Sequence, residues 1–109
     1  MTILDSHKNP KYTIPLSKIE YIESTNTWVT IYLNDGYHIR MYTKLSDLET
    51  EIHDPRFLRC HQSYLVNMDY INQATDVFEL TSGNKVPIRV RKKKQIQDAF
   101  LQYVFKKKQ

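Results

Sequence analysis

Asn34-Asp35-Gly36 stands between two runs of β-branched and aromatic residues, 28–33 and 37–42. Such runs favour a pleated backbone, and Asp-Gly supplies the two positive-φ residues of a tight hairpin. The segment therefore fixes an antiparallel pair and leaves little room for a helical fold. A second hairpin is predicted around Ser82-Gly83-Asn84, joining residues 77–81 to 86–90, with Pro87 marking an edge strand because it lacks a ladder donor. Ile14-Pro15-Leu16 and residues 19–23 read as short strands, and Ser24-Thr25-Asn26-Thr27 as a polar loop. Residues 57–66 read as one further, central strand.

Only two stretches carry a helical period. Leu45, Leu48 and Ile52 predict a short helix over 44–52, with Thr43 as its N-cap and Asp54-Pro55 as its stop. Ile96, Ala99, Phe100, Tyr103 and Val104 predict a C-terminal amphipathic helix of about three turns. Residues 1–10 have no apolar period and close on Asn9-Pro10, so they read as a tether before a single domain over 11–109. The fold class expected is mainly β: short antiparallel strands, one small inner helix and one C-terminal helix.

Composition narrows the function. The chain of 109 residues has two glycines, Gly36 and Gly83, each in a turn, so no glycine-rich phosphate loop is present. One cysteine, Cys60, cannot make an internal disulfide, which fits a reducing, cytoplasmic setting. No apolar run is long enough to cross a membrane, and residues 1–9 lack the apolar core of a signal peptide. The net charge of +4 is unevenly spread. Residues 1–55 carry five Lys/Arg against eight Asp/Glu, whereas 56–109 carry eleven against four. A basic half of this kind points to a polyanionic partner.

Arg89, Arg91, Lys92, Lys93 and Lys94 open the last helix. The helix dipole already places partial positive charge there, so each cation is destabilising by roughly 0.3–1 kcal/mol. Cations and unpaired amides converging on one helix start suit a DNA phosphate. Lys106, Lys107 and Lys108 follow the same helix, where positive charge is favourable, and read as a solubilising tail. Cys60 and His61 are neighbours on a strand and point to opposite faces, so they make no thiol–imidazole dyad. Cys60 reads as a small buried hydrophobe, and His61 either as a structural hydrogen-bonding residue or as a ligand contact. His7, His38, His53 and His61 lack metal-site spacing, and Asp47, Glu49 and Glu51 read as a solvated helix face. Neither an enzyme nor a metal or cofactor site is predicted.

Several segments now carry a resemblance. They are residues 19–24, Leu45-Ser46-Asp47-Leu48-Glu49, and Val86-Pro87-Ile88-Arg89-Val90-Arg91. The most specific is Phe57-Leu58-Arg59-Cys60-His61-Gln62-Ser63-Tyr64-Leu65-Val66-Asn67, which is similar to an F-x-R-x-H-x-S-x-x-V-N signature. The chain resembles the LytTR DNA-binding domains found at the C-terminus of many bacterial response regulators. The resemblance runs from residue 14 to about 104 and implies about ten short strands in three antiparallel sheets. It also implies that loops at the sheet edge, rather than a recognition helix, enter successive major grooves.

By motif position, the resemblance places base reading on Asn26 and Thr27 of the first loop, on Gln62 and on Arg91. Phosphate or supporting contacts fall on His61, Ser63, Arg89, Lys92 and Lys94. The family often has Ser where this chain has Arg89. The implied partner is double-stranded DNA with paired half-sites, bound by a domain that is monomeric in solution and pairs on DNA. The implied parent is a two-component transcription regulator with a receiver domain. The rival readings are an RNA-binding β-domain, which needs exposed stacking aromatics among its cations, and a protein-interaction module whose binding would depend little on salt.

Overall fold

A computed structural model describes residues 1–4 and 7–108. Among the described residues, ten strands and two α-helices run in the order β1 (Thr2–Leu4), β2 (Pro10–Thr13), β3 (Ile19–Thr25), β4 (Trp28–Leu33), β5 (His38–Met41), α1 (Leu45–Ile52), β6 (Phe57–His61), β7 (Tyr64–Asn67), β8 (Ile71–Ala74), β9 (Val77–Leu80), β10 (Lys85–Pro87) and α2 (Lys93–Lys107). They form three antiparallel sheets, β1-β2, β5-β4-β3-β7-β6 and β10-β9-β8. The mainly β architecture expected from the sequence is the one observed.

The five-stranded sheet is buried on both faces because its strands alternate two apolar sets. Ile22, Val29, Ile31 and Leu65 face one core with Leu45, Leu48 and Ile52 of α1 and Ile3 of β1. Cys60 and Val66 face a second core with Phe78, Leu80, Val86, Ile88 and Ile96. The three-stranded sheet and α2 thus cover the second face, and Phe100 of α2 meets Phe78 edge-on at 5.6 Å. Asn67 is fully buried between the two cores, donates to the Ile19 carbonyl at 2.8 Å and accepts the Asp69 amide at 3.0 Å. A buried amide group with both ends paired fixes the β3–β7 register without an unsatisfied polar atom.

Several local expectations are corrected. Asp35-Gly36 does not form a two-residue turn. Leu33 and Tyr37 close a three-residue loop in which only Gly36 takes positive φ, at +92°, and the Asp35 carboxylate accepts the Tyr37 amide at 3.0 Å. The Gly83 loop has the same form, with Leu80 bonded to Asn84 and Gly83 at φ +94°. The third loop position needs the left-handed conformation, which glycine adopts without a Cβ clash.

Thr2–Leu4 is a strand paired with β2 and buries Ile3, so residues 1–10 are not wholly a tether. Residues 14–16 are not a strand, and Leu16–Lys18 is a 3-10 turn. The first loop shrinks to Asn26-Thr27, because Ser24 and Thr25 continue β3. Thr43 does not cap α1: the N-cap is Lys44, without a side-chain cap. The single strand expected over 57–66 is two strands around Gln62-Ser63, and β6 lies at the edge of its sheet. Residues 88–90 leave the β10 strand and lead into a 3-10 turn, Val90–Lys92.

Candidate nucleic-acid interface

One end of the five-stranded sheet collects most of the residues singled out in the sequence. Asn26 and Thr27 form the turn between β3 and β4, and Gln62 and Ser63 that between β6 and β7. The Ser24 amide donates to the Ser63 carbonyl at 2.8 Å and ties the two turns side by side. The basic segment joins them through the Arg89 amide, which donates to the Cys60 carbonyl at 2.7 Å. Asn26, Thr27, Gln62, Arg89, Arg91, Lys92 and Lys94 are exposed, while His61 and Ser63 are half-buried. Three separate loops thus face solvent at one edge.

Asn26 adopts φ +54°, a left-handed conformation that asparagine tolerates better than most residues and that tightens this two-residue turn. The Gln62-Ser63 turn has no positive-φ residue and no glycine. Turns of that kind tend to splay their strands, so other groups must hold this one closed. The Ser63 amide donates to His61 Nδ1 at 3.1 Å. Arg59 Nε donates to the His61 carbonyl at 3.1 Å and Arg59 Nη2 to the Gln62 carbonyl at 2.6 Å. Arg59 Nη1 reaches Glu49 on α1 at 2.9 Å. One guanidinium therefore clamps both turn carbonyls and anchors them to the inner helix. The eleven-residue signature is largely the scaffold of this turn, with Gln62 as its exposed tip.

Charge pairing sorts the basic run. Lys93 is taken by Asp76, and Lys107 by Asp69, which also accepts the Tyr103 hydroxyl at 2.6 Å. Among the described residues Arg89, Arg91, Lys92 and Lys94 have no ion pair. α2 starts without a side-chain cap and without an acidic residue in its first turn. Its first amides and four free cations share one region, which is unfavourable for an isolated helix and favourable for an anion. A cavity of about 360 Å³ between Gln62, His61, Arg89 and Lys92 shows how closely the Gln62 turn and the basic segment approach.

Two features escaped the sequence. Arg40 lies over the Trp28 ring at 4.7 Å, and Tyr42 meets that ring edge-on at 5.7 Å. One cation therefore shares the sheet surface with an aromatic pair. A diagonal neighbour relation across β4 and β5 brings them together, with Arg40 opposite Thr30. The only signal in the sequence was the hairpin register, which depends on the loop length. Lys44 lies with Asn26, Thr27 and Tyr42 around a cavity of about 450 Å³, adding a cation to the first turn. Arg59 was legible as a signature residue but not as the clamp of the Gln62 turn.

Cys60 is fully buried, and burial pushes its thiol up to about 12, so it stays protonated and is no nucleophile. Tyr21 and Tyr32 stack at 4.4 Å beside Glu23, which accepts from Tyr32 at 3.3 Å and from Tyr64. Burial, then the neighbouring Tyr32 and Glu23, pushes the Tyr21 hydroxyl up to about 12. This cluster is structural: it joins β3, β4 and β7 on the face that carries the second core.

This edge therefore gathers two exposed turns and a run of exposed cations on a mainly β fold. Residues 10–100 match the sequence model of the LytTr DNA-binding domain, and the chain belongs to that family. Among solved structures it is similar to the LytTr DNA-binding domain of a methyl-accepting/DNA response regulator from Bacillus cereus. The two share 19% identity and a TM-score of 0.74, with 91% of this chain and 94% of that chain covered. That likeness carries the fold. No curated protein matches the sequence. The family is one of DNA-binding domains rather than enzymes, and no helix among the described residues is long and apolar enough to cross a membrane.

Proposed function

We propose that the chain binds double-stranded DNA in a sequence-specific manner, as the output domain of a bacterial two-component response regulator acting in the cytoplasm. The observation that carries this reading is the convergence of the Asn26-Thr27 turn, the Gln62-Ser63 turn and the unpaired cations at one sheet edge. Gln62 is suited to an adenine edge and Arg91 to the O6/N7 edge of guanine, each bidentate pair giving about 1–3 kcal/mol of discrimination. Asn26 and Thr27 read a neighbouring groove segment. Ser63, Lys94, Arg89 and Lys92 meet phosphates, and His61 supports the turn through the Ser63 amide. With some four to six phosphates neutralised, log affinity falls against log salt with a slope of about −4 to −5.

The domain measures 40 × 30 × 25 Å. Half-sites one helical turn apart are about 34–36 Å centre to centre, so two copies fit side by side with their shorter axes along the duplex. On this reading the domain is a monomer in solution that pairs on DNA, with a receiver domain in the parent protein.

The test is selection from a random duplex DNA library with a matched RNA pool competing. A short motif recurring about one helical turn apart, with one guanine preference lost in Arg91→Ala, is the expected result. Enrichment of RNA, or salt-sensitive binding without a motif, would remove the chain from the sequence-specific class.

A further inference from the structure

Within the basic segment one side chain has the wrong chemistry for a phosphate contact. Val90 is 86% exposed, the highest exposure among the large apolar residues. It belongs to neither core. Isolated exposed apolar residues are ordinary, so exposure alone says nothing. Place within the basic segment and a held backbone separate Val90 from Tyr37 and Phe105, the next most exposed. It lies between Arg89 and Arg91, whereas Tyr37 is in the hairpin at the opposite end of the sheet and Phe105 is at the far end of α2. Its backbone is held on both sides. The Arg89 amide bonds to the Cys60 carbonyl at 2.7 Å, and the Val90 carbonyl accepts the Lys93 amide. A branched aliphatic group is thereby presented rigidly at the tip of the segment whose neighbour, Arg91, is assigned to a base edge.

The major groove offers one apolar feature, the C5-methyl of thymine, and the minor groove offers none. Consecutive Cα atoms are about 3.8 Å apart, so where Arg91 enters the groove to reach a guanine edge the Val90 Cα lies near the same base pairs. We propose that Val90 is a specificity-determining residue that packs on the methyl group of one thymine next to the guanine read by Arg91. The inference rests on the duplex-binding reading above and adds to it a contact that carries no charge. Contact with deoxyribose instead would contribute affinity at every sequence equally.

The experiment uses the duplex recovered by selection, with each thymine of the half-site replaced in turn by deoxyuridine, which deletes one methyl and leaves pairing and charge unchanged. The wild-type chain is expected to lose about fourfold in affinity at one thymine beside the Arg91-dependent guanine, as burial of one methyl-sized group predicts. Val90→Ser is expected to bind the thymine duplex about fourfold more weakly and to lose the thymine-over-uracil preference at that position alone. Because the side chain is exposed, the variant should melt with the wild type, and a coincident melt is the control. A thymine-over-uracil ratio unchanged by Val90→Ser at every position, or an equal loss on all sequences, overturns the assignment. If the guanine preference that depends on Arg91 survives while no thymine is sensitive, only the Val90 contact falls. If no duplex motif emerges, the DNA reading falls and takes this one with it.

Discussion

Arg59→Ala tests whether a clamp behind the Gln62-Ser63 turn shapes recognition without touching the ligand. The substitution removes two charge-assisted bonds to the His61 and Gln62 carbonyls and the pair with Glu49. Hydrogen bonds to a charged group contribute about 1.5–3 kcal/mol each where water is excluded. The Arg59 side chain is 29% exposed and the released carbonyls lie in an exposed turn, so hydration recovers much of that. The Glu49 carboxylate is 43% exposed, and an ion pair of that kind contributes at most about 1 kcal/mol. A net loss of about 1–3 kcal/mol follows, and at about 4 °C per kcal/mol for a chain of this size the melting temperature falls by roughly 4–12 °C.

The turn carries no residue with positive φ, so without the clamp Gln62 should sample other orientations and lose its proposed adenine edge contact. Affinity for the selected site should drop about tenfold, and the preference at that one base should flatten, while the preference set by Arg91 stays. Two further variants separate the parts. Glu49→Gln removes only the ion pair and should change both readouts little. Arg59→Lys keeps the charge but cannot fork across two carbonyls, so it should resemble the alanine variant. Lower stability with an unchanged base profile would make Arg59 a stabiliser of the hairpin and nothing more. Unchanged stability and unchanged profile would refute the clamp outright.

Lys94→Ala should weaken all sequences alike and reduce the salt slope by about one, whereas Lys93→Ala, whose ammonium is already taken by Asp76, should change the slope less; titration of affinity against salt distinguishes them. Cys60→Ser places a hydroxyl in the second core, where burial is complete, and should cost about 1–3 kcal/mol by thermal melting while leaving affinity at low temperature intact. The hydrogen bonds from Arg56 hold the Asp54 carboxyl below its ordinary range, so its contribution is present above about pH 4 and is lost as pH falls through the lowered folded-state value. Asp54→Asn should therefore lower the melting temperature at neutral pH and flatten the acid arm of stability against pH.

The sequence was most legible where one residue type answers one local demand. Alternating apolar runs predicted the sheets, and the spacing of Leu45, Leu48 and Ile52 predicted α1. The loops failed for a consistent reason. Asp35-Gly36 fits a two-residue turn on composition, but the loop places only its glycine at positive φ and takes in a third residue, as the Gly83 loop also does. Residues 57–66 read as one strand because Gln62 and Ser63 carry no turn signal of their own; the turn closes on Arg59, whose partners are carbonyls invisible to any pattern of side chains. Thr2–Leu4 was missed because three residues are too few for a period, although Ile3 is buried in the first core. In the site, chemistry was legible and partnership was not: the five cations of residues 89–94 looked alike until Asp76 claimed one of them.

That partnership bears on how a short basic segment distinguishes one polyanion from another. A freely solvated cluster would bind any phosphate chain, with a strength set by its charge count. Here Lys93 is committed to Asp76, and Gln97 donates to the Thr75 carbonyl at 2.7 Å, so the start of α2 is fixed to the β8–β9 hairpin. The Arg89 amide fixes the other end of the segment to β6. Between these anchors Arg91, Lys92 and Val90 are exposed on a 3-10 turn whose backbone has little freedom. Two of the functional candidates, Gln62 and Arg91, thus sit on elements tied to the same strand, one by the Arg59 fork and one by the Cys60 carbonyl. On the proposed reading, rigid coupling of Gln62, Arg91 and Val90 would make the edge sensitive to the spacing of base edges in the groove. A flexible basic tail could match the affinity but not that sensitivity.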